Sequence, residues 1–235
     1  MNATIAKRED DAMQRYDLYR NIHKGIRVML FDLIQKAGRV DFRDLPAVAR
    51  LRADTKEVFE LLEGHAHKED LFVMPLVRLH APDVARSFDE QHEDQEARLP
   101  GLLAALEMLD TSAPDAPRRG HAFVVQLSRI AGELLTHMAD EETKINAVLW
   151  IALTDDELAE VEQRIVGSIA PEMMGRFARW ILPALNTPER VEFFAKARAT
   201  APAPAFQFLR GLAKQVLSPA DDLALDAGLA VMTYA

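Results

Sequence analysis

Apolar residues return every three or four positions over long stretches of this chain, with polar and charged residues between them. That period puts them on one face of an α-helix, and no sustained strand-type alternation bounded by hairpin turns competes with it. Glycine and proline punctuate the pattern. The spacing predicts a first helix over about 9–37, closed by Gly38, and a second that ends near His80 ahead of Pro82. The second begins either at Asp44 or, after a short lead-in, at about Ala53. A third follows over about 83–109 and a fourth over about 118–153, separated by the breaker Asp110-Thr-Ser-Ala-Pro-Asp-Ala-Pro117.

Thr154 then reads as an N-cap, with Glu157 at the capping-box position. Shorter helices follow, divided by Pro171, Pro183, Pro188, Ala201-Pro-Ala-Pro204 and Pro219. Their apolar positions keep helical periodicity (Phe177, Ile181, Leu185; Phe206, Leu209, Leu212, Val216), and no histidine occurs among them. Packing against the preceding helices, or a homodimer surface, is the natural use of such a segment. The expected architecture is all-α: an up-down four-helix bundle over 1–153 with a smaller C-terminal helical subdomain over 154–235.

Each helix of the bundle carries a histidine where its apolar stripe should continue. The first stripe reads Tyr19, His23, Ile26, Leu30, Leu33, and the second Val58, Leu62, His65, Glu69, Phe72, Leu76. The third reads Phe88, His92, Glu96, Leu99, Leu103, Leu106, and the fourth Phe123, Leu127, Ile130, Leu134, His137, Glu141, Ile145, Val148. Residues four apart stand one above the other on a helix. His65 with Glu69, His92 with Glu96, and His137 with Glu141 are therefore three imidazole–carboxylate pairs set into apolar faces. One such pair is common on an exposed face, and a lone His23 would be an ordinary core histidine. Three pairs on consecutive helices are another matter. Buried carboxylates are costly unless paired or neutralised, and a pair of divalent metal ions meets that need. The second and third pairs also lie at similar distances on either side of the Ala81-Pro82 turn, which puts them side by side. His67, His80 and His121 fall off the stripe or away from this level and are left out of the site.

Composition narrows the chemistry. With 235 residues and 49% hydrophobic content, the chain can build a sizeable core. Acidic residues outnumber basic ones, 37 to 28, for a net charge of -9 that repels nucleic acid and anionic membranes. Cysteine is absent, which removes disulfides, thiolate metal sites, iron–sulfur clusters and thiol nucleophiles. The polar opening MNATIAKREDDAMQ has no signal-peptide core, and the longest apolar stretch, Ile145 to Leu153, is far short of the roughly 20 residues of a membrane helix. A cytoplasmic location is the expectation. Neither phosphate-cradling glycine loops nor a Gly-x-Ser-x-Gly elbow occur.

His23, His65-Ala-His-Lys-Glu69, His92-x-x-x-Glu96 and His137-x-x-x-Glu141 together resemble the hemerythrin, or HHE cation-binding, pattern. The run Glu63-Gly-His-Ala-His-Lys-Glu-Asp-Leu-Phe-Val-Met-Pro75 is similar to the second-helix signature of that family, and the resemblance covers about residues 9–153. It implies a four-helix bundle holding two iron ions bridged by carboxylates and an oxo or hydroxo group, with an iron–manganese pair or zinc as other fillings. Family members bind dioxygen or act as sensors and iron-handling modules, so dioxygen, nitric oxide or peroxide are the implied small-molecule partners. Carried over by residue, His23 and His65 are terminal imidazole ligands, His92 and His137 further imidazoles, and Glu69 and Glu141 bridges. Two departures stand out. Oxygen carriers have a histidine where this chain has Glu96, a harder ligand that favours ferric iron. They also place an aspartate five residues after the last histidine, a slot held here by Glu142, which makes Glu142 the rival of Glu141.

A ferritin-like di-iron bundle is the nearest competitor, but its Glu-x-x-His signature does not occur in this chain. Three functional readings remain: a metal protein that binds or senses a small oxidant or handles iron; a di-iron oxidase or peroxidase; and a structural metal bundle acting through a partner protein.

Overall fold

The computed structural model describes residues 15–233, apart from the side chains of Glu96, Met232 and Thr233. Every regular element among the described residues is a helix: α1 (Arg20–Arg39), α2 (Leu45–Phe72), α3 (Met74–His80), α4 (Pro82–Glu107), α5 (Ala116–Asp140), a π-turn (Glu141–Ile145), α6 (Asn146–Ala152), α7 (Asp155–Gly167), α8 (Pro171–Ala184), α9 (Thr187–Thr200), α10 (Ala203–Val216) and α11 (Pro219–Thr233). None is long and apolar enough to cross a membrane. The chain divides into two compact units. One holds Val40–Ser168 and the described part of Met1–Arg20; the other holds Asn21–Arg39 and Ile169–Ala235.

Local chemistry explains the helix ends. The side chain of Asp44 accepts the Ala47 N–H at 3.1 Å, so α2 starts at the earlier of the two expected points. The second helix is also not continuous to His80. Pro75 has no N–H and its ring would crowd the Leu71 carbonyl, so α2 stops at Phe72 and α3 begins at Met74. The first helix starts later than its apolar stripe suggests. Its expected opening, up to Gln14, lies outside the described residues, and residues 15–19 are not helical. There Asp17 Oδ1 accepts the N–H groups of Tyr19 and Arg20 at 2.9 and 3.2 Å, a local alternative to helix. Thr154 and Glu157 do form the expected capping box at the start of α7.

In the first unit α2, α4 and α5 alternate in direction. Arg52 of α2 donates to the carbonyls of Leu106 and Leu109 near the end of α4, while Asp70, further along α2, meets His92 nearer the α4 start. Contacts between α4 and α5 show the same reversal, with Arg98 on Glu133 and Gln91 on His137. Val73, Met74, Val77, Ala85, Phe88, Ile145, Leu149 and Leu158 pack with Tyr19 into one apolar cluster of this unit. The second unit has its own core, built from Ala178, Leu182, Phe194, Leu209, Leu212, Ala213, Leu225 and Leu229. Its buried Arg190 donates to the Leu182 carbonyl and to Asp221, so its charge is paired.

Two glycines of α5 should respond oppositely to a methyl group. At Gly120 an added Cβ would fall inside the ring of buried Phe42, whereas at Gly132 nothing lies within 4 Å. Gly120→Ala should destabilise by about 1–3 kcal/mol through overpacking. Gly132→Ala should stabilise by about 0.5–1 kcal/mol through helix propensity. Urea unfolding of the two variants checks both signs.

Candidate metal centre

Three helices of the first unit bring two of the histidine–glutamate pairs together with His92. On α2, one turn separates His65 from Glu69, and His65 Nε2 lies 3.1 Å from Glu69 Oε1. Across the junction of α5 and the π-turn, His137 Nε2 lies 3.3 Å from Glu141 Oε1. Helix α4 inserts His92 between them. Its Nε2 is 3.1 Å from His137 Nε2, 3.7 Å from Glu69 Oε2 and 3.9 Å from Glu141 Oε1. Glu69, His92, His137 and Glu141 are all buried.

The outer nitrogens decide what the inner ones offer. His92 Nδ1 lies 2.8 Å from Asp70 Oδ1, and His137 Nδ1 lies 2.9 Å from Gln91 Oε1. Both partners are oxygen acceptors, so each Nδ1 carries a proton and donates it. In the neutral rings each Nε2 then turns its lone pair inward, toward the other Nε2 and two carboxylates. Such an arrangement repels itself unless a cation sits in it, and a carboxylate or amide oxygen on the outer nitrogen is the usual brace of a metal-binding histidine. Without metal a proton can serve. Burial lowers the His92 pKa, but the Glu141 hydrogen bond, the Glu69 charge and Asp70 outweigh it, and the net result is a rise from 6.5 to about 9.

The donors form two overlapping sets. Glu69, His92, His137 and Glu141 each offer an atom within 4.8 Å of the others, and His65 with Glu69 and Glu141 does the same. Both carboxylates belong to both sets, while each imidazole belongs to one. Shared carboxylates flanked by separate imidazoles suit two adjacent cations. A family model for the hemerythrin HHE cation-binding domain matches residues 14–149. The chain belongs to the hemerythrin family. No curated protein and no solved structure matches it.

The other expected positions of this hemerythrin chain fall as follows. His23 is fully buried on α1, within the second unit. The side chain of Glu96 lies outside the described residues. Glu141 is buried at the cluster, and its rival Glu142 is half-buried beside it. His67, His80 and His121 are exposed, as their positions off the stripe suggest.

Sequence reasoning passed over three residues. Asp70 and Gln91 look like surface polar residues, yet each directly adjoins a pair residue (Glu69 and His92) and faces the neighbouring helix. Adjacency to a buried histidine or its partner is the signal that could have found them. Tyr19 reads as core, and it is only 2% exposed. Burial and the Glu141, Glu69 and Asp17 carboxylates also push its phenol pKa well above the usual 10, which puts it in the field of both shared carboxylates.

In the metal-free protein His92 should make stability fall with rising pH. Its folded pKa of about 9 exceeds the ordinary 6.5, so its contribution is complete below about pH 6.5 and is lost as pH climbs through about 9. Thermal unfolding of chelator-treated protein across that window measures the effect. Asp70→Asn should move the loss to lower pH, because Asp70 helps hold the proton on. A flat profile in both proteins would show that His92 does not carry this charge.

Proposed function

We propose that this chain holds two iron ions in the histidine–glutamate cluster and uses them to bind or sense a small oxidant (dioxygen, nitric oxide or peroxide) or to handle iron. His23 and His65 would be terminal ligands of one ion, His92 and His137 of the other, and Glu69 and Glu141 the bridges. Glu96 would add a carboxylate to the second ion. The observation that carries this reading is the pair of inward Nε2 atoms 3.1 Å apart between two buried carboxylates.

The donor chemistry favours iron over a structural zinc. Mixed imidazole and carboxylate donors in two overlapping sets suit adjacent, octahedral-leaning ions, whereas structural zinc prefers a closed tetrahedron, commonly built with thiolates that this chain lacks. Bound iron supplies reversible electron transfer and open coordination positions. The chain's own residues do the rest. Asp70 and Gln91 lock two ring orientations, and Phe88, 5.5 Å from the His137 ring centre, helps line the site with an apolar wall. A second reading, an oxidase or peroxidase, draws support from Glu96, because hard anionic ligands stabilise oxidised iron.

Protein purified without added metal should contain about two irons per chain, with near-ultraviolet absorption from a bridged ferric pair. His65→Ala and Glu69→Ala should each lower metal content and thermal stability together, since metal binding and folding are linked. Stripping the metal should cost about 2.7 kcal/mol if it stands 100-fold above its Kd. Reduced protein mixed with dioxygen, nitric oxide or peroxide separates the first two readings: a lasting adduct means binding, and repeated loss of peroxide means catalysis. A single zinc per chain, or metal content unchanged in both variants, would overturn the di-iron assignment.

A further inference from the structure

Helix α5 does not continue as a regular α-helix where the chain reaches Glu141. Between Glu141 and Ile145 it widens into a π-turn, so the N–H of Asn146 reaches the Glu141 carbonyl five residues back. A regular helix would direct that N–H to the Glu142 carbonyl. Glu142 O instead accepts the side-chain Nδ2 of the same asparagine at 3.1 Å. One residue thus serves both carbonyls, its backbone closing the wide turn and its side chain capping the oxygen that the turn sets free.

The second hydrogen of that amide runs to Asp17 Oδ1 at 2.9 Å. Asp17 is well placed to brace it, because the segment around it is tied down at several points. Arg15 donates to the carbonyls of Trp150 and Leu153, both at 2.8 Å, and to Asp155 at 2.6 Å. Trp150 Nε1 donates back to the Tyr16 carbonyl at 2.8 Å. Asn146 itself is 1% exposed, and its Oδ1 has no hydrogen-bond partner among the described residues. Burying an unmet acceptor is costly, and a leucine of similar size would fill the space without that cost. Packing alone does not account for an asparagine here.

We propose that Asn146, braced by Asp17, is a positioning residue that holds the π-turn and so aims the Glu141 carboxylate into the metal cluster. The proposal rests on the metal reading of that cluster. π-turns inside α-helices are less stable than the regular helix and concentrate at functional sites. This one starts at the residue whose carboxylate belongs to both donor sets. Without the clamp the turn is free to tighten toward α geometry, and because Ile145 and Leu149 are anchored in the apolar cluster, tightening rotates Glu141 relative to them.

Cobalt(II) titration of the metal-free chain, followed by its visible bands, tests the clamp. The wild-type chain should take up about two cobalt ions. Asn146→Leu should keep its helical circular dichroism, change the band shape, and weaken cobalt binding about tenfold or more, the scale of loss seen when a brace of a metal ligand is removed. Asp17→Asn keeps an acceptor oxygen for the clamp and should bind like wild type. In a Glu141→Gln background Asn146→Leu should add little, because a positioning residue acts through the group it aims. Should Asn146→Leu fail to fold, Asn146→Ala read through the same double-variant comparison gives the answer. A loaded wild type with unaltered bands and affinity in the variant overturns the clamp alone, and so does an undiminished effect in the Glu141→Gln background. A wild-type chain that takes up no cobalt overturns the metal reading and the clamp with it.

Discussion

Two imidazole nitrogens facing each other across 3.1 Å, flanked by two buried carboxylates, impose a requirement on everything around them. The carboxylates carry charge into a region shielded from water, where an uncompensated charge is far more expensive than at the surface. While neutral, the imidazoles cannot offset that charge by donating inward, because Asp70 and Gln91 hold their protons on the outer nitrogens. A cation is the remaining solution. In its absence His92 takes up a proton and holds it to about pH 9, so metal and proton compete for the same lone pair.

That requirement accounts for the architecture of the first unit. A cluster drawing on α2, α4 and α5 needs those helices side by side and in register, and the alternating directions supply this with short turns. The turn at Ala81 is set by Pro82, and the fixed distance from it on either side brings Glu69 level with His92. Around the cluster the chain keeps large apolar groups, among them Phe88, Met74 and Ile145, which are almost wholly buried. They limit water and thereby strengthen every electrostatic contact inside. The C-terminal part of the second unit is built differently. Its histidine-free helices from Pro171 onward enclose an apolar core, and its buried arginine is already paired.

Much of this was legible in the sequence because a helix writes its buried face at a fixed period. His65 with Glu69 and His137 with Glu141 stood out as polar interruptions of apolar stripes, and the stripe is a property of sequence alone. The family pattern, the all-helical class and the capping box at Thr154 were readable for the same reason. Less legible were features that depend on a partner far along the chain. Asp70 and Gln91 acquire their role only when α4 packs against α2 and α5. The non-helical stretch 15–19 depends on Arg15 and Asp17 finding partners beyond residue 145. The break after Phe72 was written plainly in Pro75, but a strong stripe running through it to Leu76 masked it.

The fourth helix shows how a period can mislead by one residue. Extending its stripe from His137 and Glu141 at ~100° per residue leads past Ile145 to Val148. In the structure Leu149 is fully buried and Val148 is only half-buried. The π-turn inserts one extra residue into the helix, and that single residue shifts the buried face from 148 to 149 while leaving His137 and Glu141 above it in ordinary helical register. Ile145 and Leu149 then anchor the far side of the turn in the apolar cluster. The cluster pulls Leu149 inward and the donor set pulls Glu141 inward. A regular helix serves both less well, since eight residues at ~100° each leave the two side chains ~80° apart, at opposite edges of one face. With one residue absorbed by the turn the mismatch falls to ~20°, so the widened turn follows from the site and the core sharing one helix.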